Sequence, residues 1–456
     1  MGVGGAGMSG LATLLKQLGA NVSGCDLAAT SYTDKLVESG IEVEIGHSPD
    51  HLGAHKADIL VYSSAIPTDH PEILRAWQEG TVVARRAEIL SVVFNELRGV
   101  GVAGTHGKTT TSSMISLIAE RAGVSPTIAI GGQLPNIGTN AKLGEGEYMV
   151  AELDESDRSF VYFHPELAIV TNIDWDHRDH YMTFKSVTDA FYEFISNKKP
   201  SAKVIACMDD SGIQTLLREY KLNTEDFISY GKDPSYDWCA QDIKHKLGGG
   251  VSYNLLHKGK PAGEITLTVS GDHNVLNSVA ACAAAYEMGL TLEDAKKALY
   301  EFSGANRRLQ KTGEVEDILV YDDYGHHPNE IRATLATVRN IFPDRRIIAV
   351  FQPHRFSRTA ALYKEFAEAL SLADRAFILP VYPSDERPIE GVTSKLILDA
   401  ASEETRDHYQ LYENFEDLIE SSCKIAEKHD IILTIGAGSV GTLSRKIYET
   451  LLKMYK

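Results

Sequence analysis

Cysteine is scarce in this sequence. Five occur in 456 residues (Cys25, Cys207, Cys239, Cys282 and Cys423), an odd number with no CxxC spacing. That count excludes a disulfide framework and, on spacing alone, a thiolate zinc site, so the cysteines read as small buried side chains. No apolar run approaches the roughly 18 residues that a membrane-spanning helix needs. The opening residues are glycines rather than a basic segment followed by an apolar one, so no secretory signal is expected. A soluble, cytoplasmic protein is the expectation. Basic residues are also short: 45 Lys and Arg against 63 Asp and Glu give a net charge of −18. The deficit excludes nucleic-acid binding by phosphate neutralisation and a polybasic membrane contact. An anionic ligand would need a local pocket of glycine loops, Lys, Arg or metal.

What is present is ordinary globular material, 43% hydrophobic and 24% charged. At about 100 to 200 residues per domain the length predicts two to four domains, with three the central value. Short apolar runs alternate with helical stretches, which predicts parallel α/β architecture. A first unit, 1–97, holds a glycine run, a helix and strands near 22–26 and 57–63. A second, 98–308, opens with a strand at 99–103, a glycine loop and a long helix from Thr109. Between about 237 and 269, Gly248-Gly249-Gly250 and Lys258-Gly259-Lys260-Pro261 separate alternating runs that predict antiparallel hairpins added to the sheet. An Ala-rich helix over 274–288 follows. A third unit, 309–456, repeats the strand–helix alternation, with strands near 318–322, 346–351, 375–379 and 430–435.

Several polar clusters follow predicted strands. Gly2-x-Gly4-x-x-Gly7 matches the dinucleotide fingerprint, in which glycines let the backbone approach a pyrophosphate at a helix N-terminus. Asp26 stands about 20 residues on, the usual place of a ribose contact. A tight turn is the blander reading. The fingerprint normally follows a strand, and only Met1 precedes it. The expectation is an upstream start or an incomplete edge on the first sheet. Gly104-Thr105-His106-Gly107-Lys108-Thr109-Thr110 lies between a strand and a helix, the setting of a phosphate loop. There Lys108 would hold β- and γ-phosphates and Thr109 a Mg²⁺ ion. Val102 replaces the first glycine of the full pattern. Glu152, at the next strand end, is the natural magnesium ligand, and the other acids through Asp157 read as a solvated turn. His177 lies in a run, 172–180, after another strand, where carboxylates can orient its ring. His273 and Asn277 open the Ala-rich helix, with an adenine contact and helix capping by Asn274 equally open. Arg307 and Arg308 stand near the second junction, placed to close over a γ-phosphate or to form an interdomain ion pair. In the third unit His326 could accept a proton from an amine, and Arg355 and Arg358 could fork a carboxylate. Helix capping and surface charge are the alternatives.

Taken in order, the stretches 2–10, 104–110, 152–157, 171–181, 273–277, 322–328 and 351–359 resemble the Mur ligase family across nearly the whole chain. The resemblance implies three domains: a Rossmann-like N-terminal domain for a UDP-linked substrate, a P-loop ATPase-type central domain with added antiparallel strands, and a Rossmann-like C-terminal ligase domain. It implies ATP and Mg²⁺, with Lys108 on phosphate and Thr109, Glu152 and His177 on magnesium. Gly104, Thr105, His106, Gly107, Thr110, His273, Asn277 and Arg308 are implied for ATP. Gly4, Gly5, Gly7, Met8, Ser9, Asp26 and Ser156 are implied for the UDP substrate, and His326, Arg355 and Arg358 for L-alanine. The implied activity joins L-alanine to the carboxylate of UDP-N-acetylmuramate through an acyl phosphate, in peptidoglycan precursor synthesis, by a monomer or weak homodimer. The alternatives are a ligase for a recycled peptide, a nicotinamide-dependent oxidoreductase and a nucleotide-gated binding protein without catalysis. The oxidoreductase leaves Lys108, Thr109 and Glu152 without a role.

Overall fold

The computed structural model describes residues 1–455 except 56, 179, 247, 248, 305, 306 and 385. Asp179 in the run after His177, and Gly248 of the glycine triplet, therefore lie outside the described residues. No helix among those described is long and apolar enough to cross a membrane.

The N-terminal part is built on two parallel strand pairs rather than one sheet. Ser23–Asp26 pairs with Glu42–Ile45, and Ile59–Tyr62 with Val82–Arg85. The backbone of Met1 to Val3 lies between the pairs. Gly2 and Val3 donate to the Cys25 carbonyl, the Met1 ammonium donates to the Val61 carbonyl at 2.7 Å, and Ser63 donates to Met1. The expectation of an incomplete sheet edge is corrected here: the interruption is central. Met1 to Val3 give each neighbour one or two hydrogen bonds instead of a ladder. The helix Ala6–Gln17 starts straight from the glycine run.

The central part carries a ten-stranded sheet. Its parallel core runs Lys203–Cys207, Leu167–Val170, Arg98–Ala103, Tyr148–Glu152 and Thr127–Leu134. These strands are Val-, Ile- and Ala-rich, and Leu167–Val170 is buried at every position, as expected of a sheet covered on both faces. The helices Lys108–Arg121 and Asp272–Glu287 pack against one another beside it. Ten consecutive positions of the first, from Thr110 to Ala119, are buried. The predicted hairpins are present: Trp238–His245, Val251–His257 and Lys260–Leu267 are antiparallel, and the first continues the parallel sheet through Phe227–Gly231. Lys258 and Gly259 have φ of 50° and 72° at the hairpin turn, the primed-turn geometry that matches strand twist.

The third part is a six-stranded sheet, ordered Gln310–Val315, Ile318–Asp323, Asp430–Ile435, Arg346–Phe351, Arg375–Ile378 and Tyr409–Leu411. All but the first strand are parallel. Apolar clusters lie on both faces of this sheet. In an open parallel sheet the loops past the carboxyl ends of the strands gather on one side, and the polar clusters of the sequence occupy those loops.

Candidate active site

The loop after Arg98–Ala103 is shaped by two glycines. Gly104 has φ of 136°, and a Cβ there would stand 2.0 Å from Thr171 Oγ1; Gly107 has φ of 83°, and its Cβ would stand 2.6 Å from Asn277 Oδ1. Only glycine lets the loop pass this close to its neighbours. Asn172 holds the loop from the next strand: the His106 amide donates to its Oδ1 at 2.8 Å, and its Nδ2 donates to the His106 carbonyl at 2.8 Å. Lys108 folds back over the loop, donating to the Gly104 carbonyl at 2.6 Å and to Glu155 Oε2 at 2.7 Å. Burial alone would lower its pKa, but Glu155 and Asp154 outweigh that and hold it above the usual lysine range.

The acid run is not a solvated turn. Glu155 is 2% exposed, and its Oε1 has no hydrogen-bond partner while lying 3.6 Å from His177 Nε2. Glu152 Oε1 accepts from Thr109 Oγ1 at 3.0 Å, and its Oε2 accepts from the Gly131 amide at 2.6 Å. Burial raises the Glu152 pKa, and Lys108, the Gly131 amide and Thr109 offset it only in part. Burial opposes protonation of His177, but Glu155 and Asp176 outweigh it and raise its pKa. Thr109, Glu152 and His177 offer hard oxygen and imidazole donors to one cavity. That set suits a divalent cation, and magnesium in particular where waters and phosphate complete the shell.

A cavity of about 510 Å³ connects these groups. Gly5, Gly7 and Met8 line one end, the phosphate loop, Glu152, Ser156 and His177 the middle, and Arg307, Arg308, Tyr324 and His326 the other. The glycine run and the phosphate loop therefore face one cavity. Gly4, Ser9 and Asp26 do not line it. Asp26 Oδ2 accepts from the Gly4 amide at 2.7 Å, so this carboxylate holds the glycine turn, and Ser9 donates to the Ala6 carbonyl.

A smaller cavity of about 230 Å³ lies between the central and third parts, lined by Gly107, Thr110, His273, Asn277, Arg308 and Asn329 among others. Asn277 Oδ1 accepts from Thr111 Oγ1 at 3.2 Å, and its Nδ2 donates to Asn274. Helix capping by Asn274 is ruled out: the N-cap is Gly271, and Asn274 donates to the Ser270 carbonyl from inside the first turn. Burial, helped by Arg308, lowers the His273 pKa to about 4, so the ring is neutral.

The third part faces this site with three groups. Burial lowers the His326 pKa to about 3, leaving a neutral imidazole on the cavity wall; His327 instead caps the helix Pro328–Ile341. Arg358, 8% exposed, reaches Asp176 with Nε 3.3 Å from Oδ1 and Nη2 3.4 Å from both oxygens. Burial would raise the Asp176 pKa, but Arg358 and His177 outweigh it and hold the carboxyl well below its usual range. Arg355 stands apart from the pair, as the N-cap of Phe356–Leu370 with φ of 72° and its amide donating to Tyr382. Neither arginine lines the larger cavity. His106 bridges the junction, with Nε2 3.5 Å from Asp174 and Nδ1 3.4 Å from Glu330. Burial lowers its pKa, but these two carboxylates outweigh it and raise the value to about 9.

Glu155 and Glu330 are the functional candidates that sequence reasoning missed. Glu155 sat inside a charge run that usually means solvent. Glu330 lies in a helix with no motif of its own, and only the fold brings it to His106, Arg308 and the His326 amide.

Family comparisons agree with this geometry. Residues 1–98 match the Mur ligase family catalytic domain, 102–285 the Mur ligase middle domain, and 307–438 the Mur ligase glutamate ligase domain. A UDP-N-acetylmuramate–L-alanine ligase of Geotalea daltonii is 40% identical over 455 residues, covering 99% of this chain and 97% of its own. The ligase of that name from Syntrophus aciditrophicus is also 40% identical, covering 99% and 92%. The solved UDP-N-acetylmuramate–alanine ligase of Thermotoga maritima superposes with a TM-score of 0.82 at 28% identity, covering 99% and 98%. A murein peptide ligase from Psychrobacter arcticus gives 0.73 at 25%, covering 99% and 97%. With its three parts matched in order and relatives this similar over its whole length, the chain belongs to the Mur ligase family.

Proposed function

We propose that this protein is an ATP-dependent ligase that joins L-alanine to the carboxylate of UDP-N-acetylmuramate, in the cytoplasm, as a step of peptidoglycan precursor synthesis. The observation that carries the reading is the single cavity shared by the glycine run, the phosphate loop and the third part's His326. Relatives of the L-alanine-adding kind at 40% identity over the full chain favour the single amino acid over a peptide. The proposed division is 1–97 for the UDP substrate, 98–308 for ATP and 309–456 for ligation.

A carboxylate is a poor acyl donor. Phosphorylation by ATP turns it into an acyl phosphate, the alanine amine attacks the acyl carbon, and the tetrahedral intermediate releases phosphate as the amide forms. Gly5, Gly7, Met8 and Ser156 would hold the UDP substrate. Lys108 would leave Glu155 for the β- and γ-phosphates, with the loop amides beside it. His273 and Asn277 would hold adenine, and Arg308, at the junction, the phosphate end. Thr109, Glu152 and His177 would hold magnesium, which neutralises charge on the transferring phosphoryl group. The neutral His326 would take the proton of the attacking amine. Arg358, through Asp176, would keep the third part closed and water excluded from the acyl phosphate, and Arg355 would orient the alanine carboxylate as that part closes.

The test is phosphate release from ATP and Mg²⁺ with UDP-N-acetylmuramate, alone and with L-alanine, glycine, L-serine or a tripeptide. Release that needs both UDP-N-acetylmuramate and L-alanine supports the reading. Release only with the tripeptide would transfer it to peptide recycling.

A further inference from the structure

Away from the active cavity, the N-terminal part gathers soft ligands that no sequence spacing announces. Cys25 is the penultimate residue of the first strand, His47 follows its parallel neighbour, and Glu72 stands in the first turn of the helix Pro71–Glu79. Cys25 Sγ lies 3.2 Å from His47 Nδ1 and 3.6 Å from Glu72 Oε2, and His47 Nδ1 lies 3.7 Å from Glu72 Oε1. Ligand atoms around tetrahedral zinc, at bonds of about 2.0 to 2.3 Å, stand roughly 3.3 to 3.8 Å apart. A second histidine reaches the same carboxylate. His51 Nδ1 is 3.3 Å from Glu72 Oε1, buried, and without a hydrogen-bond partner. Its Nε2 lies 2.7 Å from Glu44 Oε2. A carboxylate on the far nitrogen of a histidine is the arrangement that fixes a metal-binding tautomer. Glu72 is 1% exposed, and it meets the Ser48 amide, the Cys25 thiol and two histidines, with the Met1 ammonium acting on it at longer range.

We propose that Cys25 Sγ, His47 Nδ1 and the Glu72 carboxylate form a three-ligand zinc site, with water in the fourth position, distinct from the magnesium ligands proposed above. Thiolate and imidazole select zinc over magnesium. Binding forms the Zn–S bond and releases the Cys25 thiol proton to solvent. The exclusion of a thiolate zinc site by spacing holds for paired cysteines; here the three core ligands come from positions 25, 47 and 72. Asp26, next to Cys25, holds the Gly4 amide, so the ion would brace the glycine turn through one peptide unit.

The test uses full-length, reduced, chelator-stripped protein titrated with Co²⁺ in excess Mg²⁺. The expected result is a thiolate-to-cobalt charge-transfer band saturating at one equivalent and displaced by Zn²⁺. Cys25→Ser should abolish the band, His47→Gln and Glu72→Gln should weaken binding at least tenfold, and Glu152→Gln should leave it intact. Circular dichroism checks that each variant folds. Should Cys25→Ser fail to fold, His47→Gln decides, since it keeps the thiol. No band in the wild type, a band surviving in folded Cys25→Ser, or unchanged affinity in His47→Gln would each overturn the proposal.

Discussion

Lys108 and Glu155 form a buried pair whose members have different tasks. On the proposed function the lysine would serve phosphate, while the carboxylate that holds it here also faces His177. Breaking a buried pair from one side leaves an uncompensated charge, at a cost of about 3 to 5 kcal/mol. Lys108→Met should therefore lower the thermal midpoint and reduce phosphate release by about 100-fold or more. Adding Glu155→Gln should recover much of the stability and none of the activity. Recovery of both would mean that Lys108 acts only as a structural counterion. The same pair shows what a sequence reveals at this scale. Lys108 was legible because Gly104 and Gly107 bracket it between a strand and a helix. Glu155 was not, because a run of acids looks alike whether it faces water or a buried ammonium. At Asn277, whose amide already meets Thr111 and Asn274, Asn277→Ala should raise the KM for ATP about tenfold, the worth of one good hydrogen bond, with little change in kcat. A fall in kcat at constant KM would remove Asn277 from the adenine site.

At the scale of elements, function collects at the ends of parallel strands, and three loops after Arg98–Ala103, Leu167–Val170 and Ile318–Asp323 meet at His106. Its ring joins Asp174 of the central sheet to Glu330 of the third part. The folded-state pKa of about 9 lies above the ordinary 6.5, so this contribution is fully present below about pH 6.5 and is lost as pH rises through 9. The gap corresponds to an upper bound on the order of 3 kcal/mol. Thermal midpoints measured from pH 6 to 10 should fall across that window in the wild type, and His106→Gln should flatten the decline. An equal slope in both proteins would place the pH dependence elsewhere. Strand and helix existence was legible at this scale, through β-branched runs and the Ala-rich helix. The interruption between the two N-terminal strand pairs was legible only as something missing before Gly2. Its central position depends on Cys25 and Val61 both bonding to Met1–Val3, a pairing that no local pattern encodes.

For the molecule as a whole, the question is how a net charge of −18 coexists with an anionic ligand. The answer is distribution: Arg307 and Arg308 at the second junction and Arg358 of the third part stand by a centre whose acids are Glu152, Asp154, Glu155 and Asp176. Three-part order was legible in the sequence, since the clusters recur after successive strands; which side chains bridge the parts was not, because Arg358 and Asp176 are 182 residues apart. Their contact is the buried tie between the central sheet and the third part, and closure through it is what would keep water from an acyl phosphate. Arg358→Gln removes the tie and strands Asp176, so Arg358→Gln with Asp176→Asn is the fairer variant, trading an ion pair for two neutral amides. In the wild type, phosphate released and amide formed should stay at one to one. In the double variant amide formation should fall by about 10- to 100-fold while phosphate release falls less, so that the ratio rises above one as water intercepts the intermediate. If both fall together and the ratio holds at one, the pair contributes to folding and substrate affinity alone, and the exclusion of water must rest on other contacts of the junction, with His106 to Glu330 the first to examine.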